Sequence, residues 1–227
     1  MPQAIEFVFL DIGGVLYDDR VYAEAWRRAL HESGAAMTDA EFDAEYRACR
    51  AEQNASFRRR LADRFLGPGA VLAPLEALAS RYWHYPPSAL HADVQECLEQ
   101  LRRSGYRLGI IANQPSQVRT AMARDGLVDA FEVWGVSEDL GLQKPDPQLF
   151  VHALRTAGVE PVRAVMAGDR LDYDIRPAKA AGMRTIWVLR GEAPDEPTPA
   201  QRAEPDACVD DLAALPAAVD RLAGVSR

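Results

Sequence analysis

The sequence predicts an α/β protein: a doubly wound parallel sheet that carries an inserted all-helical segment. Three observations give this. After Gly105, strand-like and helix-like segments alternate, which is the pattern of βαβ units. A short apolar run stands apart from them near the N-terminus. Between the two lies a long stretch with helical spacing and few strand signals.

The elements justify themselves in order. Ile5 to Leu10 is a mostly apolar run with β-branched and aromatic residues, expected to be a buried strand. From about Tyr22 the text is rich in Ala, Leu, Glu and Arg. "TDAE", Thr38 to Glu41, has the capping-box form and opens a helix. "GPG" at 67–69 and "YPP" at 85–87 interrupt the region. A helix over about Ala92 to Ser104, closed by Gly105, leads back. Then "YRLGIIA", "FEVWGVS", "RAVMAG" and "RTIWVL" read as strands. "SQVRTAMARDG", "DPQLFVHALRTAG" and "DIRPAKAAG" read as the helices between them. "ACV" is expected as a last short strand, before a helix over about Asp210 to Leu222. The domain expectation is an α/β core of residues 1–17 and 88–227, with a helical insert of residues 18–87.

The totals narrow the function classes. The chain has 227 residues, enough for one large domain or one domain with an insert. A formal charge of −8 argues against a general nucleic-acid surface. Cys49, Cys97 and Cys208 lie far apart without metal-ligand spacing, and an odd count suits a reducing compartment. His31, His84, His91 and His152 show no metal spacing either. The N-terminus has no basic region followed by a long apolar run, and no stretch approaches transmembrane length. A cytoplasmic protein without membrane or nucleic-acid partners is expected, its oligomeric state undetermined.

In an open α/β sheet, ligands bind beyond the carboxyl ends of the strands. The first strand delivers Asp11 there, and "GIIANQ" delivers Ala112, Asn113 and Gln114. "GLQKPDP" offers Lys144, and "VMAGDRLDYD" offers Asp169, Asp172 and Asp174. Several acids and one lysine at one rim repel one another unless a cation joins them, and crowded carboxylates suit a hard ion such as Mg²⁺. The lysine suits a point-charge contact to phosphate. Taken singly, each feature has a plainer reading: a strand-ending Asp before Gly, a solvated loop lysine, acids at a helix N-terminus.

Order and spacing together are more specific. With "FLDIGGVL", "GIIANQ", "QKPDP" and "GDRLDYD" as four successive motifs, nearly the whole chain resembles the haloacid dehalogenase-like hydrolase superfamily. The helical insert is similar to that family's small cap, and the fold implied is Rossmann-like. The resemblance implies that Asp11 is a nucleophile forming an aspartyl-phosphate. It implies Mg²⁺ held by Asp11, the backbone carbonyl of Gly13 and Asp169, with Asp174 helping directly or through water. It implies that Lys144 neutralises Asp11 and a phosphate oxygen, and that backbone N–H groups near Asn113 cradle phosphate.

The sequence departs from that pattern twice. Relatives with phosphatase activity usually carry a second aspartate two residues after the first, to protonate the leaving group and activate water; here stands Gly13. Its carbonyl survives, its acid does not, and losing a positioned acid or base costs about 10²–10⁴ in rate. Ala112 stands where Ser or Thr usually bonds the phosphate, a loss of roughly 1.5–3 kcal/mol. Tyr17, Asp18 and Asp19 lie just downstream as possible substitutes, and Asp172 is a further candidate ligand or base. In the insert, consecutive Arg58, Arg59 and Arg60 cannot all face one site from a helix.

Three functions are therefore expected in competition. One is a Mg²⁺-dependent phosphatase of a small phosphorylated metabolite, weakened by Gly13 and Ala112 and favouring good leaving groups. Another is a catalytically inactive binder of a phosphorylated ligand or partner protein. The third is a 2-haloacid dehalogenase, which needs no metal and is disfavoured by Asp169 and Asp174.

Overall fold

Phe7–Leu10 form strand β1, and all four side chains are fully buried. A strand turns successive side chains to opposite faces. Val8 and Leu10 accordingly join one apolar cluster, Phe7 and Phe9 another. Such two-sided burial belongs to a central strand of a parallel sheet. The computed structural model, which describes residues 4–54 and 56–225, places β1 there. Its neighbours are β2 (Arg107–Ala112), β3 (Val133–Val136), β4 (Ala164–Gly168), β5 (Arg184–Val188) and β6 (Ala207–Val209). The order is β3-β2-β1-β4-β5-β6, and every pairing is parallel.

The helices are α1 (Arg20–Glu32), α2 (Asp39–Glu52), α3 (Phe57–Leu66), α4 (Leu72–Tyr82), α5 (Val94–Arg103) and α6 (Val118–Arg124). There follow α7 (Ser137–Leu140), α8 (Pro147–Ala157), α9 (Arg176–Ala180), α10 (Pro199–Arg202) and α11 (Leu215–Leu222). Val94, Leu98 and Leu101 of α5 and Leu215 and Val219 of α11 cover the Val8 face. Leu149, Phe150 and Leu154 of α8 and Ala178 of α9 cover the Phe7 face. This is the doubly wound α/β fold that the alternation predicts.

Four helices, α1 to α4, lie between β1 and α5 in sequence. They enclose an apolar cluster of their own, built on Trp26, Leu30, Phe42, Phe57, Leu61 and Leu75. The capping box at Thr38 forms as its spelling predicts: Glu41 N donates to Thr38 Oγ1 (3.2 Å), and Thr38 N donates to Glu41 Oε2 (2.8 Å). The two crossings between this helical region and the sheet meet. The rings of Tyr17 and Tyr85 stack with centroids 4.5 Å apart.

Three expected boundaries move, each for a local reason. β1 begins at Phe7 rather than Ile5. The last helix begins at Leu215 rather than near Asp210, because the preceding turn is tied elsewhere: Leu212 N donates to Asp93 Oδ2. The segment expected as one helix from Asp174 starts earlier, as a wide π turn over Leu171–Ile175 that runs into α9. There both Asp174 N and Ile175 N reach the Arg170 carbonyl. Such widened turns recur at functional sites. Among the described residues, no helix is long and apolar enough to cross a membrane.

Candidate active site

β1 and β4 are hydrogen-bonded neighbours, with Leu10 opposite Ala167. The residues that leave their carboxyl ends therefore emerge side by side. Asp11 follows β1 and donates its N–H to the Ala167 carbonyl (3.0 Å); Asp169 follows β4. In this strand order the chain reverses direction across the sheet between β1 and β4, which opens the crevice where ligands bind.

Three buried carboxylates converge there. Asp11, Asp169 and Asp174 each offer an oxygen within 4.8 Å of the others. Each is held differently. Asp11 Oδ1 accepts from Ile12 N (2.8 Å) and faces the Lys144 ammonium at 2.9 Å, while Oδ2 has no hydrogen-bond partner among the described residues. Asp174 Oδ1 lies 2.6 Å from the same ammonium, and its Oδ2 accepts from Arg170 N (3.0 Å). Asp169 Oδ2 accepts from Glu192 N (2.6 Å) and lies against the backbones of Gly14 and Gly191. A Cβ on Gly14 would stand 2.0 Å from that oxygen, and Gly14 has φ +68°. Glycine is needed there twice over, for conformation and for space.

Lys144 is buried, on the loop between α7 and α8. Asn113, just past β2, fixes that loop from both sides. Its Nδ2 donates to the Lys144 carbonyl (2.9 Å), and its Oδ1 accepts from Lys144 N (2.7 Å). The Asn113 side chain is thus committed to placing the lysine.

The electrostatics follow from burial. Desolvation pushes the Asp11 carboxyl up to about 7; Lys144 opposes the shift and Asp174 adds to it. Burial likewise raises Asp169 well above the ordinary range, with Asp19 and Asp11 adding repulsion. Burial works against the charged form of Lys144, but Asp11 and Asp174 outweigh it and hold the ammonium protonated. One ammonium faces three carboxylates, so the cluster is short of positive charge. All-oxygen donors with excess negative charge suit Mg²⁺, and Asp11, Asp169 and Asp174 are the side chains that would hold it.

Above the carboxylates lies a cavity of about 370 Å³. Asp11, Gly13, Asn113, Lys144 and Asp169 line its floor. Tyr22, Trp26, Phe57, Arg58 and Trp83 line it from the helical insert and the segment after it. Of the three consecutive arginines, only Arg58 reaches this cavity, and it pairs with Glu76 (3.0 Å). Arg59 turns to Asp63 and Arg60 to Glu45 and Glu52. Ala112 is fully buried at the end of β2, in the core beneath the floor.

The downstream candidates separate. Tyr17 is fully buried, its hydroxyl donating to Asp125 Oδ2 (2.8 Å). Asp18 pairs with Arg20. Asp172 lies 2.6 Å from Arg170 and is outside the carboxylate triad. Asp19 alone reaches the cavity beside Gly13, and burial, Glu192 and Asp11 raise its pKa well above the carboxylate range.

Comparison with known proteins agrees with this architecture. The family model for haloacid dehalogenase-like hydrolases matches residues 5–182. The chain belongs to that family. It is 33% identical over 202 residues to a glyceraldehyde 3-phosphate phosphatase of Methanopyrus kandleri, covering 84% of this chain and 87% of that one. It is 35% identical over 157 residues to a phosphoserine phosphatase of Thermus thermophilus, covering 69% of this chain and 60% of that relative's length. A solved 2-haloacid dehalogenase of Pseudomonas syringae pv. tomato is 30% identical, with a TM-score of 0.60 over 96% of this chain and 99% of that one. Fold likeness alone therefore does not separate phosphoryl from halide chemistry in this hydrolase family.

One contact between the helical region and the segments beside this cavity has no forerunner in the sequence analysis. Gln53, at the end of α2, is fully buried with φ +52°. Its Nε2 donates to the Glu192 carbonyl (2.8 Å) and its Oε1 accepts from Leu171 N (2.8 Å). Arg170 pairs with Glu192 at 2.8 Å in the same place. Nothing in the local spelling around Gln53 signals this, because Leu171 and Glu192 lie more than a hundred residues away.

Proposed function

We propose that this hydrolase is a Mg²⁺-dependent phosphatase of small phosphomonoesters, working through an aspartyl-phosphate on Asp11. One observation carries the reading: a buried ammonium is shared by Asp11 and Asp174, with Asp169 completing a carboxylate cluster at the adjoining ends of β1 and β4. A nucleophile attacking carbon needs no such excess of acids. A carboxylate that must approach a phosphoryl anion needs both the lysine and a cation.

Each residue has a definable task. Ile12 N and Lys144 fix Asp11 through Oδ1, which leaves Oδ2 to attack phosphorus. Asn113 holds Lys144 against a dianionic substrate, and the backbone N–H groups beyond β2 cradle the phosphoryl oxygens. Ala112 gives that cradle no hydroxyl. Asp11, Asp169, Asp174 and the Gly13 carbonyl would hold Mg²⁺, which when bound neutralises charge on the transferring oxygens. Residues 18–87 act as the cap: Tyr22, Trp26 and Phe57 shield the cavity from water and limit substrate size. The named phosphatase relatives act on small phosphorylated compounds, which supports that substrate class.

The test is a screen of phosphate monoesters with Mg²⁺, beside Asp11→Asn as the blank. Phosphate release by the wild type and none by the variant is expected. Release surviving in the variant would remove Asp11 from its role. Ligand-induced stabilisation without release from any ester would make the protein a binder. Halide release from a 2-haloacid without added metal would make it a dehalogenase.

A further inference from the structure

An alkyl phosphate cannot release an alkoxide at neutral pH without a proton, and a positioned donor is worth about 10²–10⁴ in rate. The cavity offers few candidates. Asp11 is committed to phosphorus, Asp174 to Lys144, and Asp169 to Glu192 N and to the cation the three carboxylates would share. Glu76 is paired with Arg58 and Glu192 with Arg170, and Glu138 Oε2 accepts from Ser116 N. Of the cavity-lining carboxylates left over, Glu138 and Asp19, neither makes an ion pair among the described residues, and Asp19 is the one that lies against Gly13 beside Asp11.

Its position is unusual in two independent ways. Asp19 is the N-cap residue of α1, where an aspartate ordinarily turns its carboxylate back onto the first helical N–H groups. No side-chain capping bond is made here, and the carboxylate enters the cavity instead. There it fills the space left by Gly13. A Cβ on Gly13 would lie 2.5 Å from Asp19 Oδ1 and 3.1 Å from Oδ2. Tyr85, which is buried, donates its hydroxyl to Asp19 Oδ1 (3.4 Å) and accepts from Gln114 Nε2 (3.3 Å), which orients the group.

We propose that Asp19, reaching in from the start of α1, is the residue that exchanges a proton with the leaving group and with water in place of a side chain at position 13. The proposal rests on the phosphatase reading above. In the first step an Asp11 oxygen bonds to phosphorus and the phosphorus–oxygen bond of the ester breaks. The Asp19 carboxyl proton passes to the departing oxygen, which leaves as the alcohol. In the second step the Asp19 carboxylate takes a proton from water as that water attacks phosphorus. The bond from phosphorus to Asp11 breaks, inorganic phosphate leaves, and Asp19 is again protonated.

The experiment compares wild type, Asp19→Asn and Asp19→Ala on esters of graded leaving group, from glycerol phosphate to p-nitrophenyl phosphate. Melting temperature with Mg²⁺ checks folding. On the alkyl ester a loss of about 10²–10⁴ in kcat/KM is expected, and on the aryl ester much less. Because the same group serves the second step, the variants should also accumulate phosphorylated Asp11 with the aryl ester, seen as one added phosphoryl group in the intact mass. The double variant Gly13→Asp with Asp19→Gly should recover alkyl activity, since it moves the carboxylate to the other side of the same space. Equal losses on both esters without phosphoenzyme would make Asp19 a structural residue and overturn the proposal. Wild type active with unaffected Asp19 variants would overturn it alone; a wild type that hydrolyses no ester would overturn the phosphatase reading as well.

Discussion

Replacing Lys144 by methionine keeps the length and apolar stem of the side chain and removes one charge. In the folded protein that charge lies 2.9 Å from Asp11 Oδ1 and 2.6 Å from Asp174 Oδ1, all three groups buried. Removing one partner of a buried pair leaves the other uncompensated and costs about 3–5 kcal/mol. Two carboxylates share the one ammonium, but the cost does not double, because either can take up a proton. For a chain of this size, 1 kcal/mol corresponds to roughly 2–4 °C in melting temperature. A fall of roughly 6–20 °C is therefore expected for Lys144→Met, measured in EDTA near pH 8 so that no cation substitutes for the lysine. The deficit should shrink at acidic pH, where the carboxylates are protonated and have less need of a cation. Added Mg²⁺ should restore part of the loss. A melting temperature unchanged from wild type in EDTA at the higher pH would show that Lys144 does not neutralise these acids.

Two other predictions follow from the same cluster. Gly14→Ala should lose most of the stabilisation that Mg²⁺ confers on the wild type, read as the shift in melting temperature. A Cβ there falls 2.0 Å from Asp169 Oδ2 at φ +68°, so the carboxylate must move; an undiminished Mg²⁺ shift would show that Asp169 is not a ligand. In EDTA, folded Asp11 keeps its proton up to about 7 against 3.8 for the free side chain. Its contribution to stability is thus complete below the lower value and is lost as pH rises through the upper one. Asp11→Asn should gain on wild type across that window in paired urea titrations, and a relative loss would contradict the sign.

Much of the fold was legible because its signals are local and repeated. The continuous apolar run of β1, buried on both faces, and the alternation of strands and helices after Gly105 each report backbone geometry directly. The acids and the lysine were legible because a parallel sheet must deliver its strand ends to one rim. The π turn before α9 was not, since it depends on two N–H groups sharing the Arg170 carbonyl. The tasks of neighbouring acids were not legible either. Asp18 and Asp19 differ by one position, yet one lies against Arg20 and the other in the cavity. Asp172 and Asp174 divide in the same way, between Arg170 and Lys144.

The sequence by itself determined that this chain forms a parallel α/β sheet, that Asp11, Lys144, Asp169 and Asp174 reach its rim, and that position 13 brings no acid. These follow from hydrophobic period and strand direction, which act over a few residues. Only the tertiary structure decided that Asn113 fixes Lys144, that Gln53 bonds the Glu192 carbonyl and Leu171 N, and that the Asp19 carboxylate occupies the space Gly13 leaves open. The first depends on how two core loops meet and the other two on how the helical insert folds back across the sheet, and no local pattern encodes a distance between segments that chain connectivity does not constrain.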